Sequence, residues 1–193
     1  VELVRLPPAL PLQGPAALEP DPAAAGTANH MIQDMAALPP RGGDGAAPPE
    51  KPAPSETGSS WRAPENWVTA VTLRAAGVLA DPRSDQARQV LALVSGPDRD
   101  DQICALEAME QVRASKDGFR PDRLMPHARK NAVRSGDSIE APAAALRSGG
   151  LWYEIAFRCH LNAASGTIAG LDYVLGPPIP SSQWEDLGLA AVH

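Results

Sequence analysis

The chain has 193 residues, of which 44% are hydrophobic and only 4% aromatic, and its formal net charge is −6. That acidic balance excludes a general nucleic-acid binder, which needs a strong basic excess. No apolar run is long enough to span a bilayer, and the length suits one domain with a tail or two very small domains.

Of the 21 prolines, 13 fall between Pro7 and Pro64, with 13 alanines in the same stretch and no aromatic residue before Trp61. Such a segment cannot bury enough apolar surface to offset the cost of ordering its backbone. Residues 1–60 are therefore expected to be a disordered, Pro/Ala-rich linker, with polyproline character around Pro7-Pro8, Pro39-Pro40 and Pro48 to Pro54. Seven acids against three bases place most of the net charge in this arm. One interruption stands out: Thr27 can cap a short helix carrying Met31, Ile32, Met35 and Leu38 at helical spacing. The expectation is a transient helix in the tail; the alternative is a docking helix that folds on a partner.

Residues 61–193 read as one α+β domain, with about three helices packed on a small three-stranded antiparallel meander. Pro64 suits a first helical turn, and Trp67, Val68, Val71, Ala75, Val78 and Leu79 follow at helical spacing. Asp81-Pro82 is a helix restart, with Asp as N-cap and Pro at the first position. This second helix carries Ala87, Val90, Leu91 and Val94 and stops at Gly96-Pro97. Asp98 is expected to cap a third helix bearing Ile103, Cys104, Ala105, Leu106, Ala108, Met109 and Val112. Its apolar arc exceeds half the circumference, which predicts the best-buried helix. From Lys116 to Ala145 the pattern is weak; Phe119 is expected to anchor it, and Asp122 to Val133 has room for a short helix.

Leu151 to Asn162 carries the strongest strand signal. Leu151, Tyr153, Ile155, Phe157, Cys159 and Leu161 share one face, while Trp152, Glu154, Ala156, Arg158, His160 and Asn162 share the other. Residues 162–166 read as a hairpin loop and 167–175 as the return strand. A preceding strand near Ala144 to Ser148 pairs through Gly149-Gly150. After Gly176-Pro177-Pro178-Ile179-Pro180, the run Ser182-Gln183-Trp184-Glu185 has capping-box form and predicts a final helical turn carrying Trp184 and Leu187 onto the domain.

The two cysteines, Cys104 and Cys159, match no zinc or thioredoxin-type spacing. They are either two buried free thiols or one disulfide. Cys159 lies on the apolar strand face and Cys104 on the apolar arc of the third helix, so packing helix on sheet brings both into one layer. A bond there closes a loop of about 56 residues, worth roughly 4 kcal/mol on the chain-entropy model.

Several runs resemble the bacterial domain-of-unknown-function family 930. They are Leu79-Ala80-Asp81-Pro82-Arg83-Ser84, Cys104 with Leu106-Glu107-Ala108-Met109-Glu110, and Phe119-Arg120-Pro121-Asp122-Arg123. Trp152-Tyr153, Phe157-Arg158-Cys159, Gly176-Pro177-Pro178-Ile179-Pro180 and Trp184 continue the series. The likeness spans residues 65–190, is weakest between Leu124 and Ala145, and departs at Leu146, where the family pattern has an aromatic residue. It implies an alphaproteobacterial envelope protein with a membrane helix, a proline-rich linker and this domain, and no known activity to carry over. The run Val1-Glu2-Leu3-Val4-Arg5-Leu6-Pro7-Pro8 resembles the segment after the anchor of TonB-like proteins. The expected location is the periplasm, with tethering to the inner membrane by a segment upstream of Val1.

No serine elbow, P-loop, dinucleotide fingerprint or metal-ligand spacing appears, so no catalytic residue, cofactor or metal is assigned. Alternation places His160 opposite Cys159, which disfavours a nucleophilic pair. Glu107 and Glu110 read as a solvated helix edge sooner than as a paired-carboxylate site. Arg113, Lys116, Arg120, Arg123, Arg129, Lys130 and Arg134, with His127 among them, stand against only Asp117 and Asp122. They are candidates for an anion-facing surface toward phosphate-bearing headgroups or an acidic partner, the plainer reading being a solvated loop paired with the acids at Asp98 to Asp101. Trp152, Arg158 and His160 form a candidate recognition surface unless the C-terminal turn covers them. The function expected is a non-enzymatic envelope protein contacting an envelope protein or an anionic envelope component. The alternative is a ligand-binding or enzymatic domain, which an enclosed pocket of His127, Arg123 and Glu107 would favour.

Overall fold

A computed structural model of the chain describes residues 22–36, 65–94 and 96–189. Trp61, Pro64, Leu38 and the polyproline runs lie outside the described residues. At the centre is a long hairpin, β4 (Ser138–Ser148) and β5 (Leu151–Asn162). Its turn is Gly149-Gly150 with φ of 59° and 78°, a left-handed pair that glycine adopts at little steric cost and that matches strand twist. The loop after β5 is held by Asn162, whose Oδ1 accepts from Ala164 N and Ser165 N. β6 (Thr167–Pro178) then returns along β5.

The expected meander of β4, β5 and β6 is present, but it is the middle of a larger sheet. The sheet has six strands, in the order β1-β6-β5-β4-β2 with β3 also on β4. The prediction of three strands is corrected: β1 (Val68–Thr69), β2 (Pro121–Met125) and β3 (Val133–Ser135) are too short for a two-residue period to register. Helical spacing from Trp67 was likewise misleading. Val68 and Thr69, both β-branched, pair with Tyr173 and Asp172 of β6, and the helix α2 begins only at Ala75 and ends at Ala80. Asp122 to Val133 holds β2 and a turn, not a helix.

Asp81-Pro82 restarts the chain as expected, through a 3-10 turn at Pro82–Ser84 that leads into α3 (Asp85–Leu93). The Asp81 carboxylate accepts from Arg83 N at 2.8 Å. α4 runs Gly96–Ser115, so it starts before Asp98. Every residue from Gln102 to Val112 is buried, which makes α4 the best-buried helix and overturns the solvated edge expected for Glu107 and Glu110. Glu107 is buried because α4 is covered on that side by the chain entering α2: Glu107 accepts from Arg74 N and from Ala75 N, and Gln111 Nε2 donates to it. Glu110 pairs with Arg113 at 3.2 Å, with both side chains buried.

α4 lies on the face of the sheet that carries Leu146, Ile155, Phe157, Cys159, Leu171 and Tyr173, and these residues share one apolar core with Leu106, Met109 and Val112. Cys104 and Cys159 are bonded across that seam, with Cα atoms 5.8 Å apart. Tyr173 Oη donates to Ser115 Oγ at the end of the helix. Phe119 packs its ring on Tyr153, with centroids 4.9 Å apart.

The opposite face has a second, smaller core. Trp152 and Ala145 are covered there by Ile179 and Leu189, with Trp184 and Leu187 packed beside them. Ile179 N donates to Trp152 O, and Trp184 Nε1 donates to Ile179 O. The C-terminal segment thus tucks onto the sheet as expected, but as a 3-10 turn (Ser181–Gln183) whose N-cap is Pro180 and not Ser182.

Within the stretch expected to be linker, residues 22–36 form the helix α1, which packs on α3, α4 and β2. Ala24, Ala28 and Ile32, four residues apart, are buried. An isolated helix of this length is marginal in water, so packing on α3, α4 and β2 is what holds α1 helical.

Candidate functional site

The outer sheet face divides in two. One half lies beneath the C-terminal turn, and Trp152 is wholly buried there. The other half is open, and it holds Arg158 and His160, whose side chains are 42% and 48% exposed. Alternation along β5 put all three on one face; the C-terminal turn then separates Trp152 from the other two.

Antiparallel register sets the open half. Glu140 of β4 and Asp172 of β6 flank Arg158, while Ser138 and Gly170 flank His160. The Arg158 guanidinium lies over the Trp67 ring, 4.1 Å from its centroid, and Nε is 3.4 Å from Glu140 Oε1. Stacking and ion pairing together hold a planar cation in one orientation. His160 Nδ1 is 3.0 Å from Ser138 Oγ, and Nε2 is 3.7 Å from Asp172 Oδ2. Thr69 Oγ1 donates to Asp172 Oδ1 at 2.6 Å.

A serine, histidine and carboxylate in contact invite comparison with a nucleophilic triad. The chemistry does not follow. The carboxylate contact is longer than a hydrogen bond, and Asp172 is already engaged by Thr69. A triad needs the base oriented by its carboxylate and the hydroxyl activated by the base. This arrangement is a cross-strand polar lattice with a fixed guanidinium and an accessible imidazole. It suits recognition of polar groups on a surface laid against it.

Sequence reasoning missed Trp67, Thr69, Ser138, Glu140 and Asp172. Counting residue pairs back from the Gly149-Gly150 turn sets Ser148 opposite Leu151 and Ala144 opposite Ile155. Beyond the bulge at Pro142 the count shifts by one, which brings Glu140 to Arg158. A proline inside a strand run marks such a bulge and was the available signal.

The residues of the cationic stretch are dispersed. Arg113 is directed inward, where it pairs with Glu110 and donates to Thr27 Oγ1 and Pro121 O. Arg134 reaches Asp100 and Asp101, both at 3.1 Å. Arg129 donates to Gln183 under the C-terminal turn, and Arg120 Nη1 to Phe119 O. Lys116 and Lys130 are exposed. Arg123 lies opposite Arg147 in the β2–β4 ladder, and Arg147 pairs with Asp122 and lies over Trp152. His127 Nδ1 accepts from Ala132 N. Arg123 lies beside Arg147 and Trp152 on the outer face of the sheet, whereas Glu107 sits on α4 against the inner face and bonds the start of α2, so the three residues do not line one pocket.

Burial raises the pKa of Glu154, opposed by the charge of Arg129. At the start of the 3-10 turn the hydrogen bonds from Arg83 lower Asp81 to about 2. Among the described residues no group of three or more His, Cys, Asp or Glu could hold a metal ion. Nor is any described helix long and apolar enough to cross a membrane.

A family model described as Domain of Unknown Function (DUF930) matches residues 91–189, from the end of α3 to the C-terminal turn. No curated protein and no solved structure matches the chain.

Proposed function

The chain belongs to the DUF930 family, and on that premise we propose that it is a contact domain of the bacterial cell envelope. In this reading it works in the periplasm, tethered to the inner membrane through a segment upstream of Val1, and meets an envelope partner through the open half of its outer sheet face. The observation that carries the compartment is the Cys104–Cys159 bond joining the helix layer to the sheet. Bonds of this structural kind persist in oxidising compartments and are rare in a reducing cytoplasm. Contact, as opposed to catalysis, is supported by how the acids are used. Glu107 accepts backbone N–H groups and Glu110 holds a buried arginine, while Arg158 and His160 stay accessible on a sheet face.

Two measurements test the reading. The full-length protein fused at its C-terminus to a phosphatase active only outside the cytoplasm should give active enzyme in its own cells. An inactive fusion whose cytoplasmic counterpart reports normally would contradict it. A photo-crosslinker at Glu140 should yield one discrete adduct that Arg158→Glu removes, while one at Leu93 should not. Equal adducts from both positions would remove the assigned face.

A further inference from the structure

β1 is an edge of the sheet. It pairs with β6 on one side, and among the described residues no strand lies on its other side. Backbone groups of an antiparallel ladder point alternately toward and away from the neighbouring strand. Ala70 N donates to Leu171 O, and Val68 stands opposite Tyr173, so these two residues turn their backbone groups to β6. Thr69, between them, turns its N–H and C=O away from the sheet, and Trp67 and Val71 follow at the same spacing. The period of two also gives these three side chains one face. It is the outer face, since Trp67 lies against Arg158 and Thr69 bonds Asp172.

Open edges are commonly guarded by charge, proline or a covering element. The opposite flank of the sheet is guarded: β3 carries Arg134, paired with Asp100 and Asp101, and α1 packs on β2. The β1 edge is not. From Asn66 to Leu73 the chain has no charged residue, no proline and no glycine, and Val68 and Val71 are 49% and 99% exposed. We propose that β1 pairs antiparallel with β1 of a second copy, about a two-fold axis at Thr69. The run is its own complement in that register. The outward N–H and C=O of Thr69 in one copy meet the C=O and N–H of Thr69 in the other. Trp67 of one copy then stands opposite Val71 of the other, an aromatic side chain against a β-branched one, which is a favourable cross-strand pair. Val68 meets Ala70 on the inner side. Two sheets become one, and their open outer faces become continuous. Because the opposite flank is guarded, the assembly closes at two copies. The paired stretch is short, which places the dimer in the weak, reversible class. Neither the compartment nor the partner proposed above enters this inference.

Sedimentation of the full, oxidised chain up to about 1 mM, with amide hydrogen exchange at the same concentrations, tests it. The chain should pass reversibly from monomer to dimer. The Thr69 amide, which points away from the sheet in a single copy, should exchange more slowly in proportion to the dimer present, while α4 amides stay unchanged. Val71→Lys places a charge at the seam on an almost wholly exposed side chain and should weaken association at least about tenfold. Leu93→Lys, at a side chain 86% exposed at the end of α3, should leave association as it is. A chain that stays monomeric throughout would overturn the pairing. So would a dimer with unchanged Thr69 exchange, growth beyond two copies, or association indifferent to Val71→Lys. A Thr69 amide protected equally at every concentration would overturn it as well, since the edge would then be covered by the chain's own residues.

Discussion

Glu107 Oε2 accepts a hydrogen bond from Ala75 N at 2.7 Å, from deep within α4 to the first residue of α2. The same carboxylate accepts from Arg74 N and from Gln111 Nε2, so one buried side chain fixes where the chain leaves β1 and begins its helices. Glu107→Gln keeps the shape and one acceptor, and should cost about 1–2 kcal/mol. Glu107→Leu strands buried donors and should cost about 3 kcal/mol or more. Denaturant unfolding of the oxidised protein measures both, and an unchanged midpoint for Glu107→Leu would contradict the assignment.

Two glycines of β6 should respond differently to alanine. At Gly176 a Cβ would stand 2.8 Å from Glu154 Cβ and 3.4 Å from Glu154 O. Gly176→Ala must push the bulged strand away from β5 and should destabilise by about 1–3 kcal/mol. At Gly170 the nearest atom is His160 Cδ2 at 3.7 Å, an ordinary contact. Gly170→Ala should change stability by about 0.5 kcal/mol or less.

The fold was legible where a pattern was long and regular. Twelve alternating residues of β5, the double-glycine turn and the wide apolar arc of α4 placed the central hairpin, the packed face and the cysteine pair. The edge strands were not legible, because two to five residues carry no period. The first half of β4, before Ala144, was missed for another reason: Ala141 and Ala143 give no β-propensity signal, and Pro142 interrupts the run at its bulge. Glu107 was misread because burial of a charge depends on backbone donors from Arg74 and Ala75, more than thirty residues away. Of the candidate site, Arg158 and His160 were visible from alternation; their neighbours needed the register.

Asp81 makes acid stability depend on one turn. Its side-chain and backbone hydrogen bonds from Arg83 lower its pKa from 3.8 to about 2. A carboxylate depressed in the folded state stabilises the fold above its unfolded value, and that contribution is lost as pH falls through the folded one. Asp81→Asn should therefore lower Tm at pH 7 and at pH 5. The gap from wild type should close between about pH 4 and pH 2, and a gap that is constant with pH would contradict the account.

Glu154 should behave in the reverse sense. Burial raises its pKa and the charge of Arg129 only partly opposes this, so the folded state favours the protonated form. Stability from that group is present at low pH and declines as pH rises through the folded value. Glu154→Gln should melt above wild type at neutral pH and match it once pH falls below the ordinary value of 4.5. Melting curves across pH decide this, and a variant that melts lower at pH 7 would show the carboxylate to be stabilising.

The bond between Cys104 and Cys159 joins the architecture to the proposed compartment, and its thiol count is the direct measurement. Protein taken from its own cells, quenched in acid and unfolded without reductant, should present no free thiol. After reduction it should present two per chain and lose about 4 kcal/mol of stability, as expected for a loop closed over 55 residues. Two free thiols per chain before reduction would contradict both the staple and the oxidising location.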